Sequence, residues 1–200
     1  MHSKDKLIHG FGINDSDYVT EVKKKTGKIS VLQWACPFYV RWKSMLFRCY
    51  SASCHKRQPT YIGCTVCEEW LTFSNFKAWM QQQDWQGKHL DKDLIIRGNK
   101  VYSPDTCVFV DRLTNNFTTD SAANRGPLMI GVRLFPEKIT NRYAACCNNP
   151  FTGKVQKVGY FSTEEKAYAA WKKRKHELAC QLADMQTDER VAAALRIRYL

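Results

Sequence analysis

No stretch of this 200-residue chain is apolar for the ~20 residues that a membrane span requires. The opening MHSKDKLIHGFG lacks the apolar core of a secretory signal, so a secreted protein is not expected. Internal repeats and low-complexity tracts are also missing. Acid is scarce: 19 Asp+Glu stand against 31 Lys+Arg, giving a net charge of +12 and a pI near 9.3. Such an imbalance points to a polyanionic partner, with nucleic acid ahead of an anionic membrane. The excess is not one sticky tail, since residues 125–200 carry +7 and residues 1–124 carry +5. The nine cysteines are an odd number, which a complete intrachain disulfide set does not accommodate. Outside a secretory context they read as thiols or metal ligands.

Hydrophobic residues make up 44% of the chain and aromatics 12%, enough for a packed core in one large domain or two small ones. Residues 1–32 are polar with a basic run, EVKKKTGK, and read as a loosely ordered arm holding at most a short strand or helix. Trp42, Met45, Leu46 and Cys49 recur at helical spacing and predict a helix over 39–54. Phe73, Phe76, Trp79 and Met80 predict a second one over 72–83, with the aromatic stripe as core. LDKDLII (90–96) and TCVFV (106–110) read as strands around the turn RGNK, and DRLTNNF (111–117) as a short helix. That order is a ββα unit. The small, polar TTDSAANRG (118–126) marks a domain boundary. Beyond it, 129–135, 142–148 and 154–161 read as three strands, followed by a long helix over 162–186. A capping box of Ser162 and Glu165 starts that helix, and Ala167, Trp171, Leu178 and Leu182 share a stripe that could cover a small sheet. A final helix is expected over 187–200.

The ββα stretch collects the chemistry. Hydrolysing a phosphodiester requires an activated water, charge stabilisation on the phosphate and assistance to the leaving oxygen. Mg²⁺ takes oxygen ligands and keeps several waters, so one carboxylate and one amide oxygen suffice as protein ligands. Asp91 on the first strand and Asn115 or Asn116 on the helix are the candidates. His89 precedes Asp91 by two residues, which places both on one face of a strand.

The stretch YIGCTVCEEWLTFSNFKAWM … LDKDLIIRGNKVYSPDTCVFV … NN resembles the HNH-type endonucleases of bacteriophages, many of them homing endonucleases. The likeness runs from about Trp42 to Phe117. It implies a ββα-metal fold in which Asp91 and either Asn115 or Asn116 bind Mg²⁺ or Mn²⁺. The family's typical His directly after that Asp is here Lys92, and a lysine of ordinary pKa, near 10.4, is a poor base at neutral pH. The base is then Lys92 with a lowered pKa, Asp93, His89 or a second water. Lys92 or Arg97 would otherwise neutralise phosphate charge, with Lys100 as a further DNA contact. Some HNH proteins carry a structural zinc in this region, and Cys49, Cys54, Cys64 and Cys67, spaced C-x4-C … C-x2-C, are the candidate ligands. The competing reading is that they are small core residues.

IGVRLFPEKITNRYAACCNN … GKVQKVGYFSTEEKAYAAW resembles the AP2 DNA-binding domain over roughly Gly131–Leu182. That likeness implies a three-stranded sheet lying in the DNA major groove, with Arg133, Arg142 and Lys157 as contacts, and Tyr143 either a contact or core. KKRK (172–175) is a phosphate-binding candidate or a solvated run. The sequence therefore implies an α+β chain: a basic arm (1–32), an HNH-like ββα-metal domain (33–120) and an AP2-like domain with a C-terminal helix (126–200). The function implied is a metal-dependent nuclease on double-stranded DNA, acting in the cytoplasm of a phage's bacterial host. Two alternatives remain: a non-catalytic DNA-binding protein, such as a regulator or packaging accessory, and a structural or interaction protein of the phage.

Overall fold

The computed structural model describes residues 7–27, 29–119 and 126–200. The chain is mixed α+β, with several small sheets, and it divides into two compact units, Met1–Phe109 and Val110–Leu200. Among the described residues no helix is long and apolar enough to cross a membrane.

The N-terminal unit is built around α1 (Pro37–Tyr50). Pro37 presets the dihedral of the first turn, and Tyr39, Trp42, Met45, Leu46 and Cys49 form its buried stripe. The expected single helix over 39–54 is in fact two. Ser51 adopts an extended backbone and ends α1, and α2 (Ala52–Arg57) follows. Against α1 lies α3 (Phe73–Gln81), which buries Phe73, Phe76 and Met80. Phe73 and Tyr39 pack on the ring of Trp42, which is fully enclosed. Its indole N–H donates to the Trp70 carbonyl at 2.7 Å, so the one polar atom of this side chain is satisfied in the core.

The arm is more structured than expected. Residues 1–6 and Lys28 lie outside the described residues, but the remainder forms two features. Ile8 bridges Gly12, and Ile13 bridges Thr72, clasping the chain onto the core. Gly12 lies so close to Trp42 and Leu46 that a Cβ there would overlap both side chains. An antiparallel hairpin follows, β1 (Glu21–Thr26) with β2 (Ile29–Ala35). Composition concealed it because β2 buries almost nothing. Further on, β3 (Thr65–Val66) pairs in parallel with β5 (Val101–Tyr102), and β4 (His89–Asp91) pairs with β6 (Val108–Val110).

The C-terminal unit opens with α4 (Arg112–Thr118), capped by Asp111, whose carboxylate accepts from Thr114 N at 2.7 Å. Strands β7 (Val132–Leu134), β8 (Tyr143–Asn148) and β9 (Val155–Phe161) form an antiparallel sheet in that order. Helix α5 (Glu164–Ala183) covers one face with Ala167, Trp171, Leu178 and Leu182, the stripe read from sequence. Its cap is Thr163, which accepts from Lys166 N, and not Ser162. Helix α6 (Glu189–Ile197) packs on α5.

The division between units falls at 109/110, ahead of the stretch 118–126 where the sequence suggested it; residues 120–125 are outside the described set. The reason is the buried face of α4: Thr114, Phe117 and Thr118. The Phe117 carbonyl accepts from Lys175 Nζ at 2.8 Å, and Gln186 Nε2 donates to the Thr114 hydroxyl at 3.2 Å. Lys175, last of the KKRK run, is therefore interior and does not belong to a solvated strip. Its ammonium sits 3.5 Å from the Phe117 ring centroid.

Burial lowers the Lys175 pKa to about 8, helped by the nearby Arg198 and opposed by Cys147. Between that value and the ordinary 10.5 the unfolded chain holds the proton and the folded chain releases it. Stability should therefore rise with pH through this window, by up to about 1.4 kcal/mol per unit. Thermal melts of Lys175→Met between pH 7 and 10.5 should show that slope removed; an unchanged slope would place Lys175 in solvent.

Candidate functional site

The first site grows out of β4. Leu90 points into the core, leaving His89 exposed and Asp91 half-buried on the opposite side of the strand. The chain then turns sharply, and the turn is held by Asp91 itself: its Oδ1 accepts from Asp93 N at 2.9 Å and Leu94 N at 2.7 Å. Leu94 is thereby tucked into the interior. A second staple is Asn99. Its Nδ2 donates to the Lys92 carbonyl at 2.7 Å and the Val101 carbonyl at 2.6 Å, while its Oδ1 accepts from Val101 N at 3.2 Å. Asn99 thus ties the start of the loop to its end. The dipeptide GN in a turn is the sequence signal for such an Asn.

The side chains at the turn are unequal in access. Lys92 is buried, with only 7% of the residue exposed. Its Nζ lies 3.2 Å from Asp93 Oδ2 and 5.9 Å from the centroid of the Tyr102 ring. Its charge is thus spent locally on Asp93. Arg97 is exposed, and Lys100 reaches back to donate to the Thr60 carbonyl at 2.6 Å, fastening the loop to the core. Burial raises the Asp91 pKa, and the neighbouring Asp93 carboxyl raises it further; the two amide bonds oppose both. Two carboxyl groups are therefore crowded together in a partly desolvated place.

The asparagines belong to the other unit. On α4, Asn115 is half-buried and Asn116 exposed. The four cysteines offered as zinc ligands lie in or at the edge of the interior. Cys49, Cys54 and Cys64 are buried and Cys67 is half-buried. Burial, with Cys64 adding to it, pushes the Cys49 thiol up to about 12. Cys54 Sγ faces Gln58 Oε1 at 3.8 Å. Among the described residues no three His, Cys, Asp or Glu side chains gather as a metal-holding group.

The second site is the face of the β7–β8–β9 sheet turned away from α5. Register places Arg133, Ala144 and Tyr160 abreast, with Cys146 and Lys157 beside them. The opposite face is identified by Gln156, whose Oε1 accepts from Arg174 of α5 at 3.2 Å. Ala144 is small, and larger neighbours close over it. Phe135 meets Tyr160 edge-on, with centroids 5.5 Å apart. Lys138 Nζ stands 4.0 Å from the Tyr160 centroid, and Lys157 Nζ stands 4.7 Å from it. Lys157 also donates to the Tyr160 hydroxyl at 2.6 Å, and that bond raises its pKa. Arg133, Arg142 and Lys157 are all exposed. Phe135, Lys138 and Tyr160 were not singled out from sequence; the signal was the interleaving of rings and cations over 133–142 and 157–160. The face offers cations held in place by aromatic rings, which suits phosphates and base edges.

Comparison with protein-family models, with curated proteins and with solved structures finds no match.

The dual engagement of Asp91 separates two substitutions. Asp91→Asn keeps the acceptor for both amides and removes the repulsion with Asp93, so thermal stability at neutral pH should hold or rise. Asp91→Ala orphans two amides and should cost about 1–3 kcal/mol. The native carboxyl, with its raised pKa, lowers stability as pH climbs past its ordinary 3.8, and Asp91→Asn should flatten that decline in denaturant titrations from pH 4 to 7. Equal melts for both variants would show that the turn does not depend on this side chain.

Proposed function

We propose that the chain is a metal-dependent endonuclease that binds double-stranded DNA through the outer face of its three-stranded sheet and hydrolyses a phosphodiester at the Asp91 loop. The observation that carries the binding half is the cluster of Arg133, Lys138 and Lys157 around Phe135 and Tyr160, on a sheet face that α5 leaves uncovered. A small sheet of this kind fits the major groove, about 12 Å wide. The chain's net charge of +12 favours the same partner.

The cutting half rests on the resemblance to HNH endonucleases and on the crowding at Asp91. Two neighbouring carboxyls, one with a raised pKa, fit a divalent cation, which would relieve their repulsion. Asp91, with Asn115 or Asn116 as the resemblance implies, would hold Mg²⁺ or Mn²⁺. Such an ion, when bound, neutralises charge on the phosphate and its leaving oxygen. Asp91 is held in position by the two backbone amides it accepts from. His89, exposed on the same side of β4, takes the proton of the attacking water at an imidazole nitrogen. Lys92 restrains Asp93 and Arg97 faces the phosphate backbone. The place of action is the cytoplasm of a bacterial host, where the resemblance to phage enzymes puts it. A specific observation favours a second reading, DNA binding without cleavage: the residue after Asp91 is an interior lysine already paired with Asp93.

Supercoiled plasmid with Mg²⁺ decides between the two. Wild type should nick it, and Asp91→Asn and His89→Ala should each lose about 100-fold or more in rate while retaining DNA affinity. Nicking by Asp91→Asn at the wild-type rate would remove the assigned site, and no nicking by any form would leave the binding protein. In parallel, Arg133→Ala with Lys157→Ala should weaken duplex binding across sequences. The dependence of log affinity on log salt should become shallower by about 2; an unchanged slope would move the interface elsewhere.

A further inference from the structure

The β1–β2 hairpin has no role in the sites above, and its surface is unusual. Register sorts its side chains into two faces. Val22, Trp34, Val31 and Ile29 share one with Lys24 and Thr26; Lys23, Lys25, Leu32 and Ser30 share the other. Both faces are open to solvent: Val22 is 45% exposed, Trp34 50%, Val31 44%, Leu32 50% and Ile29 69%. An isolated two-stranded ribbon is marginal in water, and this one exposes its apolar residues on both sides. Its root is nevertheless secured. Cys36 N donates to the Thr20 carbonyl at 2.9 Å, and Lys43 Nζ on α1 grips both Glu21 oxygens at 2.8 and 2.9 Å. A ribbon anchored at its root and otherwise uncovered is suited to contact something outside the chain.

Charge and area identify the occupant. Glu21 is the ribbon's one acid, against Lys23, Lys24, Lys25 and Lys28, a net +3 over residues 21–35. That acid is already engaged by Lys43 and Lys23. A second copy seated on the apolar face would have too little to bury. Even at ~200 Å² per side chain, the size of an aromatic, four half-exposed side chains give on the order of 400 Å², about half of what each partner of a stable interface contributes. A positively charged, two-stranded ribbon instead matches a DNA groove, and apolar side chains can press against base edges there.

We infer that the β1–β2 hairpin is a second DNA-contacting arm, entering a groove with Ile29, Val31 and Trp34 while Lys23, Lys24 and Lys25 contact phosphates. This rests on the DNA-binding reading of the chain and adds a contact carried by the other unit.

The test is duplex-DNA anisotropy titrated across salt concentrations with the full chain. The variants are Lys23→Gln/Lys24→Gln/Lys25→Gln, Ile29→Ser/Val31→Ser and the sheet pair Arg133→Ala/Lys157→Ala, each checked by circular dichroism and by sedimentation. The triple lysine variant changes only exposed side chains, so it remains informative if the serine variant loses the ribbon. It should bind with a salt slope shallower by about 2 to 3. The serine variant should bind more weakly with the slope unchanged. If both titrate like wild type while the sheet pair is weakened, the arm is refuted and the DNA-binding reading stands. If wild type itself shows no salt-dependent binding, that reading fails and takes the arm with it. If the serine variant converts a wild-type dimer to a monomer without altering DNA affinity, the ribbon's occupant is a second copy and the inference is overturned.

Discussion

The N-terminal unit depends on one enclosed indole. Trp42 is inaccessible to solvent, its only polar atom is bonded to the Trp70 carbonyl, and Phe73 and Tyr39 pack against its ring. Burying a ring of this size supplies a large share of a small core's stability, and here its N–H keeps a partner. That bond ties the 64–71 segment, with Trp70, to α1. The same segment carries β3, which pairs with β5 and so anchors the far end of the Asp91 loop. Gly12 presses against the ring from the arm. The position of the acidic loop is thus a consequence of how one side chain is enclosed.

Within that frame the loop sets two acids of an acid-poor chain side by side. Asp91 is simultaneously a backbone staple and a crowded carboxyl with a raised pKa. A purely structural Asx turn would be served as well by Asn, without the repulsion. A charged residue kept where it is electrostatically awkward is characteristic of sites that bind or react. Lys92 pairs with Asp93, and the Asp91 carboxyl stays raised by burial and by Asp93.

The C-terminal unit shows a different economy. Its sheet has a buried face, where Val132, Ala145 and Cys147 meet α5, and an outer face where aromatic rings hold lysines in place. Small residues make this workable. Ala144 leaves room for Tyr160 and Phe135 to lie over the sheet, and Gly131, at φ +78, allows the chain to pass so near Trp171 that a Cβ would overlap the indole. Rings under ammonium groups restrict their motion.

Local pattern was enough to read much of this chain. The stripes at 42–49, 73–80 and 167–182, and the three C-terminal strands, were visible because 3.6- and 2-residue periods record burial directly. So was the placement of His89 and Asp91 on one side of a strand, which follows from alternation alone. Partnership was invisible. Lys175 looked like one cation in a solvated run until Phe117 and Tyr199 enclosed it. The hairpin at 21–35 left no pattern because neither of its faces is covered. Helix α4 appeared to continue the preceding strands, yet its Phe117 carbonyl accepts from Lys175 of α5 and its Thr118 carbonyl from Arg198. Periodicity reports whether a side chain is buried; which distant residues bury it depends on the three-dimensional path of the chain, and that path sets charge state, access and contact.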